Sequence, residues 1–226
     1  MAAQVRARAG ASVQRPWIED SDVYSLFPTL VWKIRLRAEA REAIDASVLG
    51  LLRTLRGELP ELGKGEAWQS GVALHRREEM RALCDCVQDA AASVLRFLEI
   101  GDATLEITGC WASLYAPGAS HRQHAHPNNF LSAVYYAQVA PGADTINFHD
   151  PRSQAGVIRP PVTSLTASNT DQVVVRVTPG TLLVFPSYLQ HSVDANASGG
   201  MRISVSFNLM FRAFTAELSK PLWGEE

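Results

Sequence analysis

The second half of the chain alternates short apolar runs with Gly, Pro and Asn turns. Between Gly101 and Phe214 these runs are TLEITGCWASLYA, FLSAVYYAQVA, DTINFHD, QVVVRVT, GTLLVFPS and MRISVSFNLMFRAF. Residues that favour strands, separated by turn residues at short spacing, predict a β-sandwich or barrel. The runs follow no fixed period, so a propeller or a solenoid is not indicated.

The first half shows a different, helical periodicity. Residues 26–37 read as an edge strand that the chain enters through Pro28. Two helices are predicted at 38–56 and roughly 77–99. We expect the following apolar side chains of these helices to be buried against a sheet: Ile44, Val48, Leu51, Leu52 and Leu55, then Met80, Leu83, Val87, Ala91, Val94, Leu95 and Leu98. Helices followed by strands predict an α+β fold.

A chain of 226 residues fits one domain with additions. We expect a flexible tail at 1–20, the edge strand and helices at 21–104, a β core at 105–214 and a C-terminal tail at 215–226. The apolar strand Val31–Ile34 could pair across a homodimer.

Composition narrows the classes of partner and the compartment. The formal net charge is −2, so there is no overall basic field to attract nucleic acid. No apolar run is long enough to span a membrane. The three cysteines, Cys84, Cys86 and Cys110, are expected to be reduced thiols of a cytoplasmic protein.

Three histidines crowd into the segment GASHRQHAHPNN. In an extended segment residues two apart face the same side, so His124 and His126 can converge on one ion while His121 faces away. His191, just after an apolar strand, could supply a third ligand. Three ligands on one side leave the other side of a metal open, as non-haem iron requires, although the usual set has one carboxylate. His149 could replace His126 if the loop folds differently.

Arg202 and Ser204 lie two residues apart in MRISVSFN and face the same way on a strand. A buried guanidinium beside a hydroxyl can bind a carboxylate through two hydrogen bonds. The alternative is that Arg202 pairs with a structural Asp or Glu.

The order H-x-H, a long insert, then H-x(10)-R-x-S resembles the 2-oxoglutarate/Fe(II) oxygenase superfamily. More closely, LFPTLVW, HAHPNNFLSAVYY, FHDPR and GTLLVFPSYLQHSV…RISVSFN resemble the bacterial group called "putative 2OG-Fe(II) oxygenases", over about residues 26–211. The resemblance implies a double-stranded β-helix (jelly-roll, cupin-like) core with two N-terminal covering helices.

The resemblance also implies cofactors and a reaction. Fe(II), 2-oxoglutarate and O₂ would be used to hydroxylate a small molecule or an amino-acid residue, with release of succinate and CO₂. His124 and His191 would be the first and last metal ligands. His126 stands where most of the superfamily has a carboxylate, and this is the main departure of the sequence from the superfamily's ligand pattern.

The same resemblance implies how 2-oxoglutarate would be held. Arg202 would bind its distal carboxylate with help from Ser204, and Tyr115 and Tyr136 match positions where related enzymes hydrogen-bond the co-substrate. Tyr136 shares strand parity with Ser132, so Tyr135 faces away.

Further polar residues are candidates for substrate binding. Asn128, Asp150 and Arg152 fall near the expected opening of the site. Asp150 and Arg152 could instead pair with each other and close a turn, and this structural role is favoured slightly.

Three other functions remain open from the sequence. A three-histidine cupin-type dioxygenase would use no 2-oxoglutarate and could bind a carboxylated substrate through Arg202. A non-catalytic cupin-like module would bind a small carboxylate or a metal without consuming O₂. A purely structural jelly roll is the least expected, because four polar groups stand at metal-binding and carboxylate-binding spacing.

Overall fold

The computed structural model describes residues 6–7, 17, 19–57, 61–101, 104–152, 154 and 156–215. The predicted tails at 1–20 and 215–226 lie for the most part outside these residues, and the predicted domain boundaries stay predictions. The chain forms two compact units, 1–30 and 31–226. In the first, strand β1 (Arg6–Ala7) pairs antiparallel with β2 (Val23–Tyr24).

The second unit contains the elements that concern function. Its strands are β3 (Trp32–Arg35), β4 (Ala67–Gln69), β5 (Leu105–Tyr115), β6 (His121–His124), β7 (Leu131–Gln138), β8 (Thr145–His149), β9 (Gln172–Arg176), β10 (Thr181–Pro186), β11 (His191–Val193) and β12 (Arg202–Phe211). Its helices are α1 (Ala38–Arg56), α2 (Arg81–Phe97) and α3 (Arg212–Thr215), with 3₁₀ turns at Leu74–Arg76 and Glu78–Met80. None of the described helices is both long and apolar enough to cross a membrane.

The strands form two antiparallel sheets. Six strands lie in the order β3-β10-β7-β12-β5-β4, and four lie in the order β6-β11-β8-β9. The six predicted runs correspond to β5, β7, β8, β9, β10 and β12. The prediction missed β4, β6 and β11, which are only three or four residues long and carry little pattern of their own.

The six-stranded sheet is buried on both faces. One face packs on α1 and α2, whose buried residues belong to the same apolar cluster as Ala133 and Tyr135 of β7. The other face meets the four-stranded sheet in a second cluster that includes Tyr136 of β7 and Phe148 of β8. Because neighbouring residues of a strand point to opposite faces, Tyr135 and Tyr136 separate as their parity predicts.

Two of the apolar residues predicted to be buried are exposed. Leu55 is 36% exposed and Leu98 is 38% exposed. Leu55 lies in the last turn of α1, and Leu98 follows the last residue of α2. Fewer neighbours surround a side chain at a helix end, so helical spacing alone overstates burial there.

One polar contact joins helix α1 to the central sheet. The Tyr135 hydroxyl donates a hydrogen bond of 2.6 Å to Asp45 Oδ1. Burial raises the pKa of Asp45 above its usual value, and burial also raises the pKa of Tyr135. The hydroxyl therefore keeps its proton and remains a donor at neutral pH.

We predict that Tyr135→Phe lowers the free energy of unfolding by about 1–3 kcal/mol, because it leaves a partly buried carboxylate without its donor. Urea unfolding followed by circular dichroism measures this. Tyr188→Phe is the matched control, since Tyr188 is exposed and should be neutral. Equal stability of both variants would show that the Asp45 contact contributes nothing.

Candidate metal and co-substrate site

Strands β6 and β11 bring together the three histidines predicted as metal ligands. His124 and His191 are direct partners across this strand pair. His126 follows β6, and its backbone N–H donates to the carbonyl of Ser187 at 2.9 Å. One ring nitrogen of each of the three histidines lies within 4.8 Å of those of the other two. Such spacing allows all three to reach one ion.

Backbone contacts orient two of these imidazoles. Nδ1 of His124 lies 2.8 Å from the carbonyl oxygen of Arg122, and Nδ1 of His191 lies 3.0 Å from that of Leu189. A carbonyl oxygen only accepts, so each Nδ1 carries the proton. The lone pair is then on Nε2, which is the atom available to a metal.

Burial keeps two of the predicted ligands, His126 and His191, neutral. Burial, reinforced by the neighbouring histidines His124 and His121, lowers the pKa of His126 to about 4. Burial is also the main cause that lowers the pKa of His191 to about 3. Neutral imidazole is the form that binds a metal ion.

His121 does not face away, so the expectation from strand alternation was wrong. Its ring stacks on that of His124 with centroids 4.2 Å apart, and its Nδ1 shares a hydrogen bond with the Tyr115 hydroxyl. The cause is a β-bulge, because His121 to His124 on β6 pairs with the shorter stretch His191 to Val193 on β11. The extra residue reverses the parity and turns both histidine rings to one face.

Arg202 is buried at the start of β12 and is only 2% exposed. Its guanidinium carbon lies 5.8 Å from the ring centre of Tyr115 and 5.3 Å from that of Tyr136. Nη2 donates to the carbonyl of Thr145 at 3.4 Å, and Nε has no hydrogen-bond partner. No Asp or Glu in the described parts of the chain forms an ion pair with it, so the structural-partner alternative finds no support there.

Two hydroxyl groups adjoin this guanidinium. Ser204 pairs with Tyr136 across β12 and β7, and both are buried. The Tyr136 hydroxyl has no hydrogen-bond partner among the described residues. Burial raises the pKa of Tyr136 to about 12, so the group remains a donor. Buried polar groups without partners are uncommon, and the Arg202 and Tyr136 groups are both available to bind a ligand.

The histidines and the arginine share one pocket between the two sheets. Its lining residues are Trp111, Ser113, Tyr115, His121, His124, His126, Val134, Tyr136, Ile146, His191, Val193, Arg202, Ser204 and Ser206. None of these is acidic. Three imidazoles at one side and a guanidinium with hydroxyls at the other fit a divalent metal together with a carboxylate compound.

Sequence reasoning missed Trp111, whose ring lies 5.5 Å from that of His126. Its parity with Tyr115 on β5 was the available signal, because residues four apart on a regular strand share a face.

The remaining polar candidates lie outside this pocket. Asp150 and Arg152 pair with each other. Nε of Arg152 donates to Oδ1 of Asp150 at 2.9 Å, and Nη2 donates to Oδ2 at 2.6 Å. Asn128 adopts a positive φ of 62° in the loop before β7. Nε2 of His149 bonds to Ser192 Oγ at 2.9 Å, and His149 is not part of the metal-binding group.

The fold and this pocket are those of a jelly-roll protein that can hold a metal and an anion, and comparison with known families narrows the class. Residues 109–208 match the family model described as "Putative 2OG-Fe(II) oxygenase". The match supports the predicted superfamily, whose cofactors, Fe(II) and 2-oxoglutarate, are those predicted for this chain. No curated protein matches the sequence.

Solved structures share the fold. A Pseudomonas putida prolyl-4-hydroxylase is 18% identical, with a TM-score of 0.55 over 80% of this chain and 93% of that one. The 2-oxoglutarate-dependent carbocyclase SnoK from nogalamycin biosynthesis is 18% identical, with a TM-score of 0.58 over 87% and 90%. The epimerase SnoN, in complex with Fe³⁺, 2-oxoglutarate and nogalamycin RO, is 17% identical, with a TM-score of 0.57 over 88% of each chain.

We predict that His124→Ala, His126→Ala and His191→Ala each lower the affinity for Ni(II) by at least about tenfold, because each removes one ligand. Isothermal titration calorimetry measures the affinity. His149→Ala is the control and should bind like the unmodified protein. Loss of binding in His149→Ala, with binding retained in His126→Ala, would instead make His149 the ligand.

Proposed function

We propose that this protein is an Fe(II)- and 2-oxoglutarate-dependent dioxygenase that hydroxylates a small molecule or an amino-acid residue. Succinate and CO₂ would be the co-products. One observation carries the proposal above the others. The buried guanidinium of Arg202, without a carboxylate partner among the described residues, lines the same pocket as the three histidines.

The charge of Arg202 is the strongest argument for an anionic co-substrate. A buried cation without a counter-ion is costly, and the contacts with two aromatic rings and one carbonyl oxygen recover only part of that cost. A ligand carboxylate that accepts from Nε and Nη would supply the missing partner. The Tyr136 hydroxyl could donate to the same ligand.

The metal ligands support the other half of the proposal. When bound, Fe(II) would supply the activation of O₂ that couples 2-oxoglutarate decarboxylation to substrate oxidation. The chain's own part is to hold neutral Nε2 atoms in place, to bind the far carboxylate at Arg202 and Ser204, and to exclude water. Tyr115 is held by His121 and would border the co-substrate from the β5 side.

The assembly proposal concerns strand β3. It pairs with β10 on one side, and no other described strand pairs with it. A homodimer formed through this edge is compatible with that arrangement.

A second candidate function keeps the iron and changes the chemistry. The metal group contains three histidines and no carboxylate, which is the feature that favours a cupin-type dioxygenase without 2-oxoglutarate. In that enzyme Arg202 would bind the carboxylate of the substrate itself. Succinate production separates the two functions, because only the first one forms it.

We predict that anaerobic addition of Fe(II) and 2-oxoglutarate produces a visible metal-to-ligand charge-transfer band, and that O₂ then yields succinate. In Arg202→Met the affinity for 2-oxoglutarate should fall by about tenfold or more, because one buried charge-assisted contact is lost. An apolar side chain of similar size at a buried charge is usually tolerated, so stability should be kept. Absorbance titration with 2-oxoglutarate measures the charge-transfer band and the affinity.

Arg53→Met, on the exposed side of α1, is the matched control for that titration and should leave the band unchanged. A protein that binds iron but gives neither band nor succinate would contradict the proposal and favour the second candidate.

A further prediction follows from the absence of acidic residues in the pocket lining. Fe(II) adds positive charge to a pocket that already contains Arg202, so metal and 2-oxoglutarate should each strengthen binding of the other. His126→Asp should bind Co(II) alone more tightly than His126→Asn does. The increase in Co(II) affinity caused by 2-oxoglutarate should also be smaller in His126→Asp. Calorimetric titrations with and without 2-oxoglutarate measure both effects, and equal behaviour of the two variants would contradict this account.

A further inference from the structure

A second cavity lies beneath the loop that joins β8 to β9. It has a volume of about 620 Å³, within the range of small-molecule sites. The loop extends from Asp150 to Asp171. Loops of this length without secondary structure are uncommon in compact domains and are usually either functional or linker segments.

Strand β8 relates this cavity to the metal pocket. At its start, the carbonyl of Thr145 contacts Arg202. Further along, Phe148 is the direct partner of His191 on β11. Asp150, which lines the cavity, follows two residues later, or about 7 Å further along an extended chain. The cavity therefore begins at the histidine end of the strand, away from Arg202.

The charged residues that line this cavity neutralise one another. Asp150 accepts two hydrogen bonds from the Arg152 side chain and one from its backbone N–H. Arg159 forms an ion pair with Asp171. These four residues are all of the charged residues in the lining. A charged ligand would have to displace one of these partners.

Two of the four uncharged polar side chains in the lining, those of Asn169 and Thr170, form hydrogen bonds with the loop itself. Asn169 donates to the carbonyl of Ser164 and accepts from the N–H of Thr166. Thr170 donates to the carbonyl of Gln172 and accepts from its N–H. They stabilise the loop conformation and have few hydrogen bonds left for a ligand.

The apolar side chains of the lining are unusually exposed. Ile158 is 78% exposed and Leu165 is 75% exposed, and Val162 lies between them in sequence. Clustered apolar exposure of this kind marks a binding surface more often than an ordinary exterior.

We propose that this cavity binds the prime substrate, and that this substrate is an uncharged, largely apolar organic molecule. The inference rests on the proposed oxygenase function and names the substrate class for the same site. Because the charges are paired and the side chains of Asn169 and Thr170 bond to the loop, apolar contact is the main interaction, with Ile158 and Leu165 as determinants of specificity. A free amino acid or a charged peptide side chain would gain little binding free energy in this cavity.

The test uses the uncharged fluorophore N-phenyl-1-naphthylamine with the full chain, in the presence of 2-oxoglutarate and either Zn(II) or Co(II). We expect saturable one-to-one binding that weakens by about tenfold or more in Ile158→Asp and Leu165→Asp, because each places a charge in the apolar contact. Both positions are exposed, so folding should be unaffected. Val72→Asp, at an exposed apolar residue outside the cavity, is the control. Co(II), a quencher of nearby fluorophores, should lower the emission relative to Zn(II).

Several outcomes would overturn the proposal. These are no binding, equal binding in all variants, no quenching by Co(II), and displacement of the probe by L-lysine or by a charged peptide. The charge-transfer band of Fe(II) and 2-oxoglutarate is recorded on the same proteins. Its absence, together with probe binding that depends on Ile158 and Leu165 and is quenched by Co(II), would reject the oxygenase function and keep the uncharged-ligand site.

Discussion

The buried charge of Arg202 is the constraint around which the pocket is arranged. The residue starts β12, which pairs with β5 and β7 at the centre of the six-stranded sheet. Its guanidinium lies among aromatic rings, where an unpaired charge is costly. A fold would retain such a group only if something else supplies the counter-charge, and no described acidic side chain does so. The need for an anionic ligand follows from the packing of the sheet before any comparison with other proteins.

The two sheets divide their shared interior into an apolar part and a polar part. Phe148, Leu183 and Phe185 fill the apolar part, and the ring of Phe185 lies 4.9 Å from that of His191. This apolar packing removes water from one side of the histidine and helps to lower its pKa. The same packing therefore stabilises the sandwich and keeps the imidazole in the form that binds metal.

The periodicity of apolar residues in the sequence predicted much of this architecture. The prediction failed where the backbone departs from regular helix or strand geometry. Helix α1 was predicted with the bounds that the structure has, because its apolar positions recur at helical spacing over five turns. The parity of Tyr135 and Tyr136 was likewise readable from one regular strand. His121 was misplaced because a bulge in β6 reverses its side, and no sequence pattern marks that bulge. The metal-ligand roles of His124 and His191 remain predictions that the geometry favours.

A histidine at position 126, in place of the usual carboxylate, changes the net charge of the pocket. A carboxylate ligand would bring a negative charge to the metal end of the pocket, where it would offset the charge of the metal but not that of Arg202 at the other end. Three imidazoles bring no negative charge, so neither the metal nor the arginine then has a counter-charge from the pocket lining. The anion that satisfies both must come from solution and must reach both ends of the pocket. A dicarboxylate that chelates metal at one end has the chemistry for this role, and the buried arginine is the feature that favours it over a monocarboxylate substrate.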